Sequence, residues 1–183
     1  MLISLVVMLV LNNLVLKEML ERVRPFYIFD LEGLTADINR MISDGVEASK
    51  IDRLNKMLEK SKVLVQQYPE MAAEWLAKYQ YPDFVEKLTS FSFPSGHTSS
   101  AFAACAAILF LNRKIGIPAM VFAALMGFSR IYVEVHYCTD VLGGAIVGII
   151  YAVIGVLLAK ALYPVVEKIL AALKAKVCKK KAA

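Results

Sequence analysis

The sequence predicts an all-α polytopic membrane bundle: about four transmembrane helices, an amphipathic helical insert and a basic amphipathic C-terminal tail. Three observations carry this. The 183 residues are 58% hydrophobic, above the roughly 45–50% apolar content of soluble domains. The apolar residues fall into four long runs, at 2–16, 98–111, 115–133 and 141–162. Between the first two runs lies a polar stretch whose apolar residues recur at helical spacing. We read the chain as one domain: 1–25 as first span, 26–92 as insert, 93–162 as a three-span core and 163–183 as tail.

Leu2 to Leu16 is apolar apart from Asn12 and Asn13. Continued to Arg24 as a helix it would be about 36 Å long, enough to cross a bilayer. No basic residue precedes the run as a secretory signal requires, so it is expected to be retained. Lys17 and Arg24 are seven residues apart and would leave one helix face, and Pro25 would end the helix. Taken alone, the pair is explained by snorkelling to headgroups.

The insert, 26–92, holds most of the acidic residues and no run long enough to span. Thr35 is a candidate cap for a short helix with Ile38, Met41 and Ile42 on one side. Ile51, Leu54, Met57, Leu58, Ser61 and Leu64/Val65 form an amphipathic stripe, and Pro69 opens a third helix with Met71, Ala72, Trp75, Leu76 and Tyr79. Tyr68, Trp75, Tyr79 and Tyr81 give the aromatic content of a membrane–water boundary. Two arrangements fit: helices lying on the surface beside the spans, or a cap that packs only on itself.

Phe93-Pro94-Ser95-Gly96-His97-Thr98 enters the second span, whose Ala and Ser content allows close helix approach. A helix starting there presents free N–H groups to an anion, and Gly96 leaves room for an oxygen beside the backbone. Asn112-Arg113-Lys114 is a turn. The third span ends in Ser129-Arg130, and Thr139 or Asp140 caps the fourth, whose Gly143, Gly144, Gly148 and Gly155 suit tight internal packing. From Tyr163 onward a basic amphipathic tail suits anionic headgroups.

Spans that alternate in direction put Lys17–Arg24, Ser95–His97 and Arg130–Asp140 on one side of the membrane. The other side carries Arg113, Lys114, Lys160, Lys168, Lys174, Lys176 and Lys179 to Lys181 against Glu167 alone, and the positive-inside rule makes that side cytoplasmic. Both histidines of the chain, two arginines, a lysine and an aspartate then gather on the outer face of an inner membrane. Charge near a membrane interior is functional by default.

These residues resemble a known family. Lys17-x6-Arg24-Pro25, Pro94-Ser95-Gly96-His97 and Ser129-Arg130-x5-His136-x3-Asp140 are similar, in order and spacing, to the three signature motifs of the type 2 phosphatidic acid phosphatase (PAP2) superfamily. The resemblance covers the site and its spans, not the insert. It implies a metal-independent phosphatase, without a cofactor, acting on a membrane lipid phosphate through a phosphohistidine. It makes His136 the nucleophile, Asp140 its orienting group and His97 the general acid. Lys17, Arg24, Ser95, Gly96 and Arg130 hold the phosphate, and no metal ligand is expected. The chemistry agrees: phosphoryl transfer needs positioning and charge compensation, and an imidazole held by a carboxylate can attack phosphorus.

Many membrane members have six spans, whereas this chain shows four. Glu134 stands where small residues are common and is expected to pair with Arg130. Cys138 stands where Pro is expected and is read as a bystander. The compact form resembles the lipid A 1-phosphatase branch. Phosphatidylglycerol phosphate, phosphatidate and undecaprenyl pyrophosphate are the other candidate substrates, with transfer to a second lipid as a variant of the reaction. A non-enzymatic scaffold or anion-conducting bundle that binds lipid headgroups is the alternative from another class. The expected partners are the bilayer and its lipids, and no nucleic acid.

Overall fold

The structure, a computed structural model, describes residues 1–78 and 90–181, with side chains described as far as Ile169 and at Ala171. Among the described residues every regular element is helical, and three helical stretches are long and apolar enough to cross a membrane: Leu2–Tyr27, Arg113–Tyr132 and Cys138–Ile169. The expected second span is the exception. Helix Gly96–Leu111 has 16 residues, about 24 Å at 1.5 Å per residue, less than the roughly 30 Å hydrocarbon core. It packs against all three long stretches.

The first stretch is not a uniform helix. α1 (Leu2–Leu11) passes into a wide π turn at Asn12–Leu16, closed by the Lys17 N–H bonding the Asn12 carbonyl, and then into α2 (Lys17–Leu20). Asn12 is buried and its Oδ1 accepts from the Ser99 hydroxyl at 3.2 Å. The polar residue inside the apolar run is thus a helix–helix tie. α2 stops at Glu21, which adopts a left-handed conformation (φ 41°, ψ 42°). Arg24 is extended (φ −74°, ψ 153°), as a residue before proline prefers. The helix therefore ends four residues earlier than expected, and Lys17 and Arg24 do not share a helix face. They converge because the chain turns out of the helix between them.

The insert forms α3 (Leu31–Ser43), α4 (Ala48–Gln67) and α5 (Pro69–Lys78). Asp30, not Thr35, caps α3, accepting the Gly33 N–H at 2.8 Å. Thr35 lies inside the helix and bonds back to the Leu31 carbonyl, and Ile42 is exposed. The α4 stripe behaves as its spacing predicts, with Leu54, Met57 and Ser61 buried. Pro69 opens α5, where Trp75 meets Phe29 edge-on at 6.0 Å. Tyr79 and Tyr81 lie outside the described residues.

The insert does not pack only on itself. Leu34, Ile38, Leu54 and Met57 share one core with Val23, Phe26, Tyr27, Phe91 and Val135. Val23 adjoins Arg24, and Val135 adjoins His136. Ion pairs reinforce this seating: Arg53 with Glu18 at 2.7 Å, and Lys56 and Lys60 with Glu21 at 3.0 Å each.

α6 (Gly96–Leu111), α7 (Arg113–Tyr132) and α8 (Cys138–Lys181) complete the bundle. Small residues bring the helices together, as the sequence suggests. A Cβ on Gly148 would come within 2.6 Å of the Ser99 carbonyl oxygen, and one on Gly155 within 2.2 Å of the Ser4 hydroxyl. Asn112 caps α7 by accepting the Lys114 N–H at 3.0 Å. The expected fourth span and tail are one continuous helix through Pro164; the tail's side chains from Lys174 onward lie outside the described set. Toward the membrane the long helices present Leu2, Val6, Phe122, Phe128, Leu142 and Leu157, all exposed.

Candidate active site

Three chain segments build the site. The turn after α2 supplies Arg22 and Arg24, the latter extended, with Val23 between them buried in the core. The segment before α6 repeats the alternation: Phe91 is in the core while Ser90 and Ser92 face the polar cluster. The two segments are joined by the Ser92 N–H donating to the Arg22 carbonyl at 2.8 Å. The loop 133–137 and the first turn of α8 supply His136 and Asp140.

His136 and Asp140 are both buried, the aspartate completely. The His136 Nδ1 lies 3.5 Å from Asp140 Oδ2, longer than the 2.7–2.9 Å of a direct charge-assisted bond. The Ser92 hydroxyl lies beside both, donating to Asp140 Oδ2 and lying 3.3 Å from His136 Nδ1. The Tyr137 N–H also donates to Asp140 Oδ2, at 3.0 Å. With Nδ1 turned to Ser92, Nε2 is the open nitrogen, and it sits 3.5 Å from Arg24 Nη1. Burial, with help from the Arg24 and Lys17 charges, holds the His136 imidazole below its ordinary pKa, and the bond toward Asp140 opposes this. His136 is therefore set to be neutral at neutral pH. Burial pushes the Tyr137 phenol up to about 12.

Lys17 and Arg24 meet at Ser90. Lys17 Nζ donates to its hydroxyl at 3.3 Å, Arg24 Nη2 to the same hydroxyl at 2.9 Å, and Arg24 Nε to its carbonyl at 2.7 Å. Arg24 Nη1 also donates to the Val135 carbonyl at 3.0 Å. Gly96 opens α6 beside them: a Cβ there would lie 3.8 Å from Lys17 Nζ. Ser95 is buried, takes the Thr98 hydroxyl at 3.0 Å, and its N–H donates to the Asp140 carbonyl at 3.0 Å. The α6 N-terminus is thereby fastened to the α8 N-terminus, with a lysine at its mouth. His97, in the first turn of α6, is exposed, and the charges of Arg130, Lys17 and Arg24 all act on it. Arg130 is half-buried and, among the described residues, bonds only the neighbouring Ser129 hydroxyl, at 3.2 Å.

The residues named from the motifs thus lie at one end of the bundle. Glu134 does not pair with Arg130; it is exposed, at a left-handed φ of 54° where α7 ends, and makes no ion pair among the described residues. Arg22, Ser90 and Ser92 are the members that motif reading missed. Nothing in the motif spacing marks them, because they join the site only through the pairing of two segments distant in sequence.

The PAP2 superfamily model matches residues 1–164, and the chain belongs to that superfamily. It is similar to undecaprenyl-diphosphatase BcrC of Bacillus subtilis, 58% identical over 59 residues covering 32% of this chain and 31% of that protein. It is also similar to phosphatidylglycerophosphatase B of Bacillus subtilis (37% over 90 residues, 42% of this chain and 44% of the relative). A third relative is the lipid A 1-phosphatase of Rhizobium etli (36% over 96 residues, 42% and 40%). The chain spans less than half the length of each of these curated relatives. No solved structure matches.

Proposed function

We propose that the protein is a lipid phosphate phosphatase working through a phosphohistidine on His136, with a polyprenyl diphosphate as first candidate substrate. The observation that carries the reading is the His136 imidazole: neutral, with Nδ1 held toward Ser92 and Asp140, and Nε2 facing the arginine and lysine that would hold a phosphoryl group. In the first step Nε2 attacks phosphorus, the bond from phosphorus to the leaving oxygen breaks, and His97 gives that oxygen a proton. Asp140 compensates the positive charge on the phosphorylated ring. In the second step water attacks phosphorus, gives a proton back to His97, and the P–N bond breaks to release inorganic phosphate. Lys17, Arg24 and Arg130 compensate charge on the phosphoryl oxygens, with Ser95 and the Gly96 N–H at the start of α6. Ser90 stands where two of these cations converge, so a substrate oxygen would take its place.

A lipid substrate is supported by a cavity of 690 Å³ lined by Leu20, Val23, Ile28, Val63, Leu64 and Phe93, together with Arg22 and Tyr137 of the site wall. Such a cavity suits an apolar chain. The 58% identity to an undecaprenyl-diphosphatase favours a prenyl diphosphate over the lipid A 1-phosphate that the motifs alone suggest. The charge bias of the opposite end, with Arg113 and Lys114, supports a site outside the cytoplasm with the end of α8 inside. The test is phosphate release from a panel of polyprenyl diphosphate, phosphatidylglycerol phosphate, phosphatidate and lipid A, with wild type beside His136→Ala. Release by the wild type, an acid-labile phosphoprotein, and a loss of at least about a thousandfold in the variant support the reading. No release from any lipid, or an active His136→Ala protein, overturns it.

A further inference from the structure

We infer that Arg22, at an unspecified position within the first motif, is a positioning residue for the nucleophile: it holds Asp140 in the orientation that aligns His136. The inference rests on His136 being the nucleophile. Arg22 Nη1 donates to Asp140 Oδ1 at 2.7 Å and to the Thr139 hydroxyl at 2.6 Å. Its guanidinium lies over the Tyr137 ring, 4.2 Å from the centroid, and its own carbonyl takes the Ser92 N–H. One residue thus touches the carboxylate, the residues on either side of the α8 start, and the segment carrying the Ser92 hydroxyl.

The two oxygens of Asp140 have separate partners. Oδ2 faces Ser92, the Tyr137 N–H and His136, while Oδ1 faces Arg22. A carboxylate rotates about its last bond unless both oxygens are fixed, so Arg22 sets the direction in which Oδ2 points. It also balances the charge. Asp140 is fully buried, and a buried anion that loses its partner is strongly disfavoured. This is not a surface ion pair, because only the arginine side reaches solvent, at 38% exposure.

Without Arg22, the uncompensated carboxylate draws a proton onto the neighbouring imidazole and raises its pKa, leaving less of the neutral nucleophile. The groups acting on His136 are Lys17 and Arg24 from the first segment, Ser92 from the segment before α6, and Asp140 from α8. Only the last of these changes its balance when Arg22 is removed. Arg22 Nη1 is engaged with the Asp140 and Thr139 oxygens, and the guanidinium carbon lies 4.2 Å from the Tyr137 ring centroid, so it acts on the nucleophile through Asp140.

The experiment uses the full chain in lipid vesicles with farnesyl diphosphate as probe, comparing wild type, Arg22→Gln, Arg22→Lys, Arg22→Ala and His136→Ala. Arg22→Gln is expected to lower kcat about 10- to 100-fold, the size seen when an orienting partner behind a reacting histidine is removed, with KM within about twofold. The acid limb of its kcat profile moves to higher pH. Arg22→Lys recovers part of the loss, and added guanidinium ion recovers part of the Arg22→Ala loss by entering the partly exposed slot over Tyr137. An unchanged kcat and pH profile overturns the inference, as does a KM rise at constant kcat, or a loss that tracks thermal stability and is not recovered by guanidinium. An inactive His136→Ala beside an unaltered Arg22→Gln overturns this inference alone. An active His136→Ala overturns the nucleophile assignment and this inference with it.

Discussion

The Nδ1 of His136 and the Oδ2 of Asp140 are 3.5 Å apart, with the Ser92 hydroxyl bonded to one and 3.3 Å from the other. The serine thus sits beside the pair and donates to the carboxylate that faces the ring. Ser92→Ala removes a hydrogen bond to a charged group, about 1.5–3 kcal/mol, which corresponds to roughly 10- to 100-fold in rate. Steady-state kinetics should show that loss in kcat, with KM little changed.

The pH dependence follows from the burial of His136. Its pKa lies below the ordinary 6.5, so the neutral form persists under mildly acidic conditions and the acid limb of kcat/KM should lie below pH 6.5. Stability has the same sign. The unfolded chain takes up this proton first, so the contribution of His136 is complete above 6.5 and is lost as pH falls toward the folded value. Rate profiles and thermal melts between pH 5 and 8 check both.

Leu54 is fully buried in the core that also holds Val135 and Phe91. Leu54→Ala should cost about 2–5 kcal/mol, measured by thermal or denaturant unfolding. Because that core backs the loop carrying His136, activity should fall well below the melting transition. Full activity at that temperature would show that the insert does not support the site.

Two glycines should respond differently to a side chain. At Gly148 a Cβ meets the Ser99 backbone at 2.6 Å, so Gly148→Val forces α6 and α8 apart, at a cost of about 1–3 kcal/mol or more. At Gly96 the nearest atoms are at 3.8 Å, and Gly96→Ala should fold normally. It should still bind inorganic phosphate or vanadate more weakly, because the methyl group covers the start of α6. Melting curves beside inhibition constants separate the two.

Cys138 is exposed at the start of α8. With Cys105 and Cys178 replaced by serine, a membrane-impermeant maleimide added to intact cells should label it if the site faces outward. Labelling only after lysis would reverse the orientation.

The sequence carried the long helices, the α4 stripe and the convergence of the motif residues, because each rests on periodicity or on simple alternation of spans, whereas Ile42, Met71 and Leu76 of the other two stripes are exposed. It did not carry the end of the first helix. The expected stop was Pro25, but Glu21 leaves the helix four residues earlier, and no propensity rule marks a left-handed glutamate. Nor did it carry Arg22, Ser90 and Ser92. Their roles depend on two segments, distant in sequence, joined by the Ser92–Arg22 backbone bond, and that pairing becomes visible only once Val23 and Phe91 are seen to share a core. Glu134 was misjudged because proximity to Arg130 along the chain says nothing of direction when the backbone reverses between them.

The wide turn at Asn12–Leu16 has its own bearing on Lys17. Each residue of a regular helix advances the facing direction by about 100°, and the i→i+5 bonding of a π turn accommodates a residue that an α turn would not. Deleting Val15 and letting the helix close into α geometry would swing the lysine away from its partners around Ser90, although every motif letter would remain in place. The direction of Lys17 is thus set by a spacer, Leu14 to Leu16, with no polar side chain of its own.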